Sequence, residues 1–286
     1  MVTIILYQDK FLPREQGQVD MEDRGYQFGD GIYEAIRVYG GKMFLLDLHM
    51  KRLERSAREL RLKLPYSLEH LTDNLNQLIR QNQINEGLVY FQITRGAAHR
   101  QHLFPDHIES VLTGSAVSLP REETLRPNGI KVSLVDDIRW LRCDIKTLNL
   151  LGNVLARQEA HEKGSEEAIL HRGATVTEGS SCNVFIVQNG QLVTHPADHF
   201  ILNGITRLHV IDLAGKLNIP VEERTFSTDE LYHADEVFIT STGAEVKPVV
   251  QIDERVIASG KPGSITQKLM NAFDEEVARI KAAALY

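Results

Sequence analysis

Lys146 lies in the stretch RWLRCDIKTLNLL, residues 139–151, with Trp140, Leu141, Leu148, Leu150 and Leu151 around it and Asp144 two positions before it. A lysine in an apolar stretch usually lays its methylene stem along the edge of a core and keeps its ammonium in water. The second reading is chemical: partial burial lowers an amine's pKa, and a partly neutral amine can form a Schiff base with a carbonyl. The other reactive side chains of the chain decide between the two.

Three further groups of residues bear on that choice. The segment LNGITRLHV puts Gly204, Ile205 and Thr206 at a helix start, where free backbone N–H groups and the positive end of the dipole favour an anion. TSTGAE, residues 240–245, supplies hydroxyls and a glycine after a strand, a second anion cradle or an ordinary turn. Arg52, in HMKRLERSAREL, could add a fixed positive charge, although the arginines crowding that helix read equally well as a solvated face. In TVTEGSSCN, Glu178 stands between a β-like run and a small-residue turn, either a surface residue or a carboxylate able to hold a protonated ring nitrogen. The loop TRGAAHRQHLF offers Arg95, His99, Arg100 and His102; arginine binds a carboxylate through two parallel hydrogen bonds, and a neighbouring histidine adds a third donor. His99 and His102 lack companion ligands at a metal-binding spacing. A phosphate cradle, a partner for a pyridine nitrogen and a grip on a substrate carboxylate are the three supports that a pyridoxal-phosphate lysine needs.

The bulk numbers fit such a small-molecule enzyme. At 286 residues the chain can build a large core or two modest domains. With 42% apolar and 25% charged residues it has an ordinary globular composition, and a net charge of -7 argues against nucleic acid or an anionic membrane as partner. Cys143 and Cys182 alone make no disulfide framework, which fits a reducing cytoplasm. The first residues, MVTIILYQDK, have neither a basic leader nor a cleavage site, and no run of eighteen apolar residues occurs.

The elements that must position these residues follow from periodicity. TIILY and GIYEAIRVY read as strands, the latter joined through Gly40-Gly41 to KMFLL as a hairpin. Leu46, Met50, Leu53, Ala57 and Leu60 recur at helical spacing, and Ser67 caps a second helix carrying Leu68, Leu71, Leu75, Leu78 and Ile79. LVYFQITRG and GIKVSLVDDI return to strand chemistry. A helix from about Leu148 to Lys163, closed by Gly164, opens a second half. There NVFIVQNGQLVTH reads as a hairpin on Asn189-Gly190, followed by a helix from about Gly204 to Leu217, the strand EVFIT, the hairpin VVQIDERVI and a helix from about Ser264 to Lys281. Strands and helices are interspersed without regular crossovers, so the expectation is α+β in two domains, 1–120 and 121–286, with the junction near 120–145 and Lys146 beside it.

Taken in order, EDRGYQFGDGIYE, HMKRL, YFQITRG, RQH, IRWLRCDIKTLNLLGNVLARQEAHEKG, EAILHR, VTEGSSCNVF, THP, GITR and TSTGAE resemble the fold-type IV pyridoxal-phosphate family, and within it the D-specific aminotransferase branch. The family also holds branched-chain aminotransferases and aminodeoxychorismate lyase. The resemblance implies two α/β domains with the cofactor at their interface, and transamination between D-amino acids (D-alanine, D-glutamate) and 2-oxo acids (pyruvate, 2-oxoglutarate). It implies Lys146 as the Schiff-base lysine, Glu178 as the acid on the pyridine nitrogen, and Arg52, Ile205, Thr206 and Thr242 as the phosphate cradle. Leu202 falls on a cofactor-packing position, and Tyr33 lies beside cofactor and substrate. Arg100 and His102 match the pair that holds the substrate carboxylate, reached from the other subunit of a homodimer. Two positions depart from the pattern: Cys182 stands in place of a serine, and Gly243-Ala244 replaces a more polar pair, as in the branched-chain enzymes. The alternatives are a branched-chain L-amino-acid aminotransferase or a lyase on the same fold, and a silent cofactor-binding protein.

Overall fold

The computed structural model describes residues 2–121 and 128–283. Its chain groups into two compact units. One holds Met1–Arg121, Ile145–Asn149 and Arg279–Tyr286; the other holds Glu122–Asp144 and Leu150–Ala278. The division is therefore not the single cut near residue 120 that the sequence suggests, because two later segments return to the first unit. Residues 122–127, within the expected junction, lie outside the described residues.

The first unit contains β1 (Ile4–Tyr7), β2 (Lys10–Pro13), α1 (Arg24–Phe28), β3 (Gly31–Tyr39), β4 (Lys42–Met43), α2 (Leu46–Glu59), α3 (Leu68–Gln81), β5 (Glu86–Thr94) and β6 (Val111–Ser118). The strands form an antiparallel sheet in the order β2-β1-β6-β5-β3-β4. Alternation sorts its faces. Ile32, Ile36 and Val38 of β3 join Val89, Phe91 and Ile93 of β5 in one core with Leu53 and Ala57 of α2 and Leu71, Leu75 and Leu78 of α3. Ser67 caps α3, its hydroxyl accepting from the His70 N–H at 3.1 Å. KMFLL is a strand only through Met43; Leu45 adopts a left-handed φ of 53° and Leu46 begins α2.

The returning segment 145–149 is fastened to β3 by its backbone. Thr147 bridges Ile32, the Tyr33 N–H donates to the Lys146 carbonyl at 3.1 Å, and the Leu148 N–H donates to the Gly31 carbonyl at 3.0 Å. That pairing delays the helix expected from Leu148.

The second unit contains β7 (Ile130–Asp136), α4 (Leu151–Glu162), β8 (Glu167–Arg172), β9 (Thr175–Gly179), β10 (Asn183–Gln188), β11 (Gln191–Thr194), α5 (Ile205–Lys216), β12 (Val221–Glu223), α6 (Thr228–Tyr232), β13 (Glu236–Ser241), β14 (Glu245–Ile252), β15 (Arg255–Val256) and α7 (Ser264–Ala282), whose last residues group with the first unit. The sheet runs β12-β11-β10-β13-β14-β7-β8-β9, with β15 on β14, and is mixed: β7 lies parallel to β8 and β14, while most other pairs are antiparallel. Asn189 and Gly190 take φ of 50° and 80° in a two-residue turn with Gln188 opposite Gln191, the I′ geometry that asparagine and glycine tolerate. Helices and strands mixed in two units make the fold α+β.

Candidate active site

Lys146 is partly buried, and its Nζ stands 4.1 Å from the centroid of the Tyr33 ring. The backbone pairing to β3 produces this contact, and the Lys146 N–H also meets the Ser56 hydroxyl of α2 at 3.3 Å. Tyr33 projects from the sheet face opposite the core, beside Tyr90 with ring centroids 5.6 Å apart. Both backbone and side chain of Lys146 are thus referenced to one strand.

On the core face of the same strand, between Ile32 and Ile36, stands Glu34, fully buried. Arg52 of α2 grips it with two hydrogen bonds, Nε to Oε1 at 2.9 Å and Nη2 to Oε2 at 2.8 Å, and His49 Nδ1 approaches Oε2 at 2.7 Å. Burial alone would push the Glu34 carboxyl up; Arg52, with His49 assisting, overcomes it and holds the pKa down at about 2. Burial likewise pulls the His49 imidazole below its usual range, against the opposing pull of Glu34. Arg52 is therefore a buried, oriented cation and no member of a solvated helix face.

Glu178, at the end of β9, is also buried and no surface residue. Its Oε1 accepts from Arg139 Nη1 at 2.5 Å, and its Oε2 accepts from Asn183 Nδ2 at 3.1 Å and from the Leu202 N–H at 3.0 Å. Arg139 is shared, since its Nε and Nη2 each donate to Asp137 at 2.9 Å. Burial pushes the Glu178 carboxyl up to about 7, Arg139 and the Leu202 N–H opposing. Burial would push the Asp137 carboxyl up, but Arg139, with Arg172 assisting, holds it down at about 2; Asp137 also accepts from the Thr177 hydroxyl.

Asn183 ties this carboxylate to the next helix. Its Nδ2 also donates to the Leu202 carbonyl at 2.8 Å, and a Cβ placed on Gly204 would sit 2.1 Å from its Oδ1, so any side chain at residue 204 would have to displace the Asn183 amide. Gly204 is the N-cap of α5 and offers no capping side chain, which leaves the first-turn N–H groups of the buried Ile205 and Thr206 to an anion. Thr242 lies in the turn between β13 and β14, where the Ala244 N–H donates to the Ser241 hydroxyl at 3.0 Å.

Arg100 and His102 sit exposed in the loop after β5, and both rest on Phe28, the last residue of α1: Arg100 Cζ is 5.0 Å from that ring's centroid and the His102 ring 5.6 Å. His99 is exposed near Glu22. Arg95, a sequence candidate for gripping substrate, is instead buried structure; its Nε donates to Asp30 at 2.8 Å, its other nitrogens to the Leu60 and Arg61 carbonyls, and it stacks 3.7 Å from the Phe104 centroid.

These residues fit pyridoxal phosphate by their donor chemistry. An amine on an aromatic face, a buried carboxylate short of full stabilisation and an uncapped glycine-led helix start are what an aldehyde, a pyridinium and a phosphate require. Sequence reading missed Glu34, His49, Arg139 and Asn183. Glu34 carried a signal: a carboxylate on the core-facing alternation of a strand demands a buried cation. Arg139 and Asn183 lie inside quoted motifs but reveal their work only through tertiary partners. Among the described residues no group of His, Cys, Asp or Glu could hold a metal ion.

Residues 31–252 match the family model of amino-transferase class IV. The chain is 50% identical over 278 residues to a D-alanine aminotransferase of Listeria innocua serovar 6a, covering 96% of each protein, and 46% identical over 274 residues to that of Staphylococcus aureus strain MSSA476, covering 96% and 97%. Among solved structures, the branched-chain amino acid aminotransferase of Escherichia coli superposes with a TM-score of 0.91 at 27% identity over 96% of this chain and 94% of that one. The branched-chain enzyme of Thermobaculum terrenum, in its holo form with PLP, gives 0.84 at 27% identity over 96% and 94%. With its fold, its buried carboxylates and its lysine on the segment paired to β3 in hand, the chain belongs to the class IV aminotransferases.

Proposed function

We propose that the chain is a pyridoxal-phosphate-dependent transaminase that interconverts D-alanine and 2-oxoglutarate with pyruvate and D-glutamate. The observation that carries this reading is the near 50% identity to D-alanine aminotransferases along 96% of the chain, well above the 27–30% to the branched-chain structures. The geometry agrees in what it offers. When bound, pyridoxal 5'-phosphate supplies the aldehyde that joins the amine and the ring that accepts the electrons of a broken Cα–H bond. Lys146 Nζ anchors the cofactor and, when free, carries a proton from and to substrate Cα. Tyr33 limits where that nitrogen can go. Glu178 holds a proton on the ring nitrogen, with Arg139 and Asn183 fixing the carboxylate. Ile205 and Thr206 present N–H groups to the phosphate, with Arg52 and Thr242 completing the cradle and Leu202 packing on the ring. Arg100 and His102 grip the substrate α-carboxylate, and the side from which they pull sets which enantiomer turns its Cα–H to Lys146.

A homodimer belongs to this reading, with Arg100 and His102 serving the other subunit. Its support is apolar surface that a lone chain leaves in water: Ile138 and Leu141 in the second unit, with Leu151, Val154 and Leu155 of α4. No helix among the described residues is long and apolar enough to cross a membrane, both cysteines are free, and a cytoplasmic enzyme accords with both.

The test is kcat/KM for D- and L-alanine with 2-oxoglutarate. A strong preference for D-alanine is expected; preference for L-alanine overturns the reading in favour of the branched-chain activity, and no turnover in favour of silent binding. Lys146→Ala should abolish nearly all turnover, and borohydride reduction followed by mass spectrometry should place the cofactor on the Lys146 peptide. Label on another lysine would refute the anchor.

A further inference from the structure

Arg100 and His102 occupy a loop without helix or extended strand, and both are exposed. A long, freely rotating arginine loses side-chain entropy each time it binds, and a grip that selects one enantiomer must hold its direction. We propose that Phe28 is a positioning residue for this grip, its ring forming the platform that sets the directions of Arg100 and His102. The inference rests on the reading that those two residues bind the substrate carboxylate.

The ring meets three side chains. Arg100 Cζ is 5.0 Å from its centroid, the His102 ring lies 5.6 Å away at an interplanar angle of 52°, and Arg24 Cζ is at 4.9 Å. A guanidinium above an aromatic ring engages the ring with its face and leaves its in-plane N–H groups for a carboxylate. An acidic residue in the same place would occupy those donors, whereas a hydrocarbon ring orients without competing.

The backbone under the grip is tied to the same turn. Arg24, four residues before Phe28 on α1, sends Nη1 to the Gln101 carbonyl at 2.6 Å and to the Leu103 carbonyl at 3.3 Å, the residues on either side of His102. Its Nε donates to Asp30 at 2.8 Å, which also takes Arg95 Nε at 2.8 Å. The turn itself is fixed. Asp23 caps it by accepting from the Gly25 N–H at 2.8 Å and from the Thr94 hydroxyl at 2.7 Å, and a Cβ on Gly25 would come within 2.2 Å of the Thr94 methyl. One short helix locked to the end of β5 thus holds both the main chain and the side chains of the grip.

The experiment measures steady-state kinetics of the loaded enzyme for D-alanine in Phe28→Leu, Phe28→Met, Phe28→Tyr, Arg100→Leu and Phe28→Leu/Arg100→Leu. Leucine and methionine keep apolar bulk without a ring face, and two such variants are made in case one fails to fold. KM should rise about three- to tenfold in both with kcat within about twofold, because the contact serves ground and transition states alike. Phe28→Tyr, which keeps the face, should bring KM back to within about twofold of the parent value. The double variant should lose less than the product of the two single losses, since part of the Phe28 effect passes through Arg100 and the remainder through His102. A KM unchanged in the leucine and methionine variants while Arg100→Leu raises it would overturn the platform and leave the grip standing. So would a fall in kcat at constant KM, or a double variant whose losses simply multiply. An Arg100→Leu variant with parental kinetics would overturn the grip itself, and the platform with it.

Discussion

Glu34 and Glu178 are both buried carboxylates facing arginine, yet one is held down at about 2 and the other pushed up to about 7. The difference lies in how each arginine divides its donors. Arg52 gives Glu34 a two-point grip to which His49 adds a contact, so the charge there is neutralised. Arg139 commits Nε and Nη2 to Asp137 and leaves only Nη1 for Glu178. Glu178 keeps a residual attraction for a positive charge, which a protonated ring nitrogen would supply; Glu34 has none left and orients its arginine instead.

The comparison can be broken from the Glu34 side first. Glu34→Ala leaves buried Arg52 without its carboxylate and should cost about 3–5 kcal/mol of unfolding free energy, read by urea titration. A loss under about 1 kcal/mol, the range of an exposed ion pair, would show that Glu34 does not hold Arg52. Acid probes the same pair without mutation. Because the folded pKa of Glu34 lies below the ordinary glutamate value of 4.5, its stabilisation is present above that pH and lost as pH falls toward about 2. The gap between those two values corresponds to roughly 3 kcal/mol, a loss that should be absent from the pH profile of Glu34→Gln.

From the other side, Glu178→Gln should keep the fold and slow turnover by roughly a hundredfold, about 2.7 kcal/mol in the barrier, since an amide cannot hold the ring proton. Unchanged turnover would remove Glu178 from the mechanism. The smallest effect expected is a shift. In the unloaded protein Glu178 is ionised above about 7, so cofactor affinity should weaken as pH falls through that value. Arg139→Gln should move this limb upward by about one unit, or about 1.4 kcal/mol, in fluorescence titrations of cofactor binding. A limb that stays in place would mean that Arg139 does not set the charge of Glu178.

What the sequence disclosed and what it hid divide along similar lines. Long periodic elements such as α2 and α3, and a hairpin with Asn-Gly at its tip, announce themselves because their signals are local. β6 escaped notice because its alternation is carried partly by small residues, with Gly114 packed 3.3 Å, measured from an ideal Cβ, from the Cβ of Phe91. The quoted motifs contain Lys146, Glu178 and Gly204, but partner choice is not local: Arg139 pairs with Glu178 across 39 residues, and Arg95 resembles a ligand until Asp30 and two carbonyls claim it. Nothing in the spacing says which of two arginines, Arg95 or Arg100, is bound into the fold and which is left exposed.

The fastening of residues 145–149 along β3 bears on the order of assembly. Tyr33 and Lys146 are 113 positions apart in the chain, and closing so long a loop carries an entropic cost that local contacts do not share. The first unit's sheet can form from β1 to β6 alone, but a nascent chain that has yet to present Ile145–Asn149 holds a finished scaffold without its amine. On the proposed role of Lys146, chemical competence thereby arrives later than secondary structure, and hydrogen exchange during refolding should protect the Tyr33 amide after those of β5.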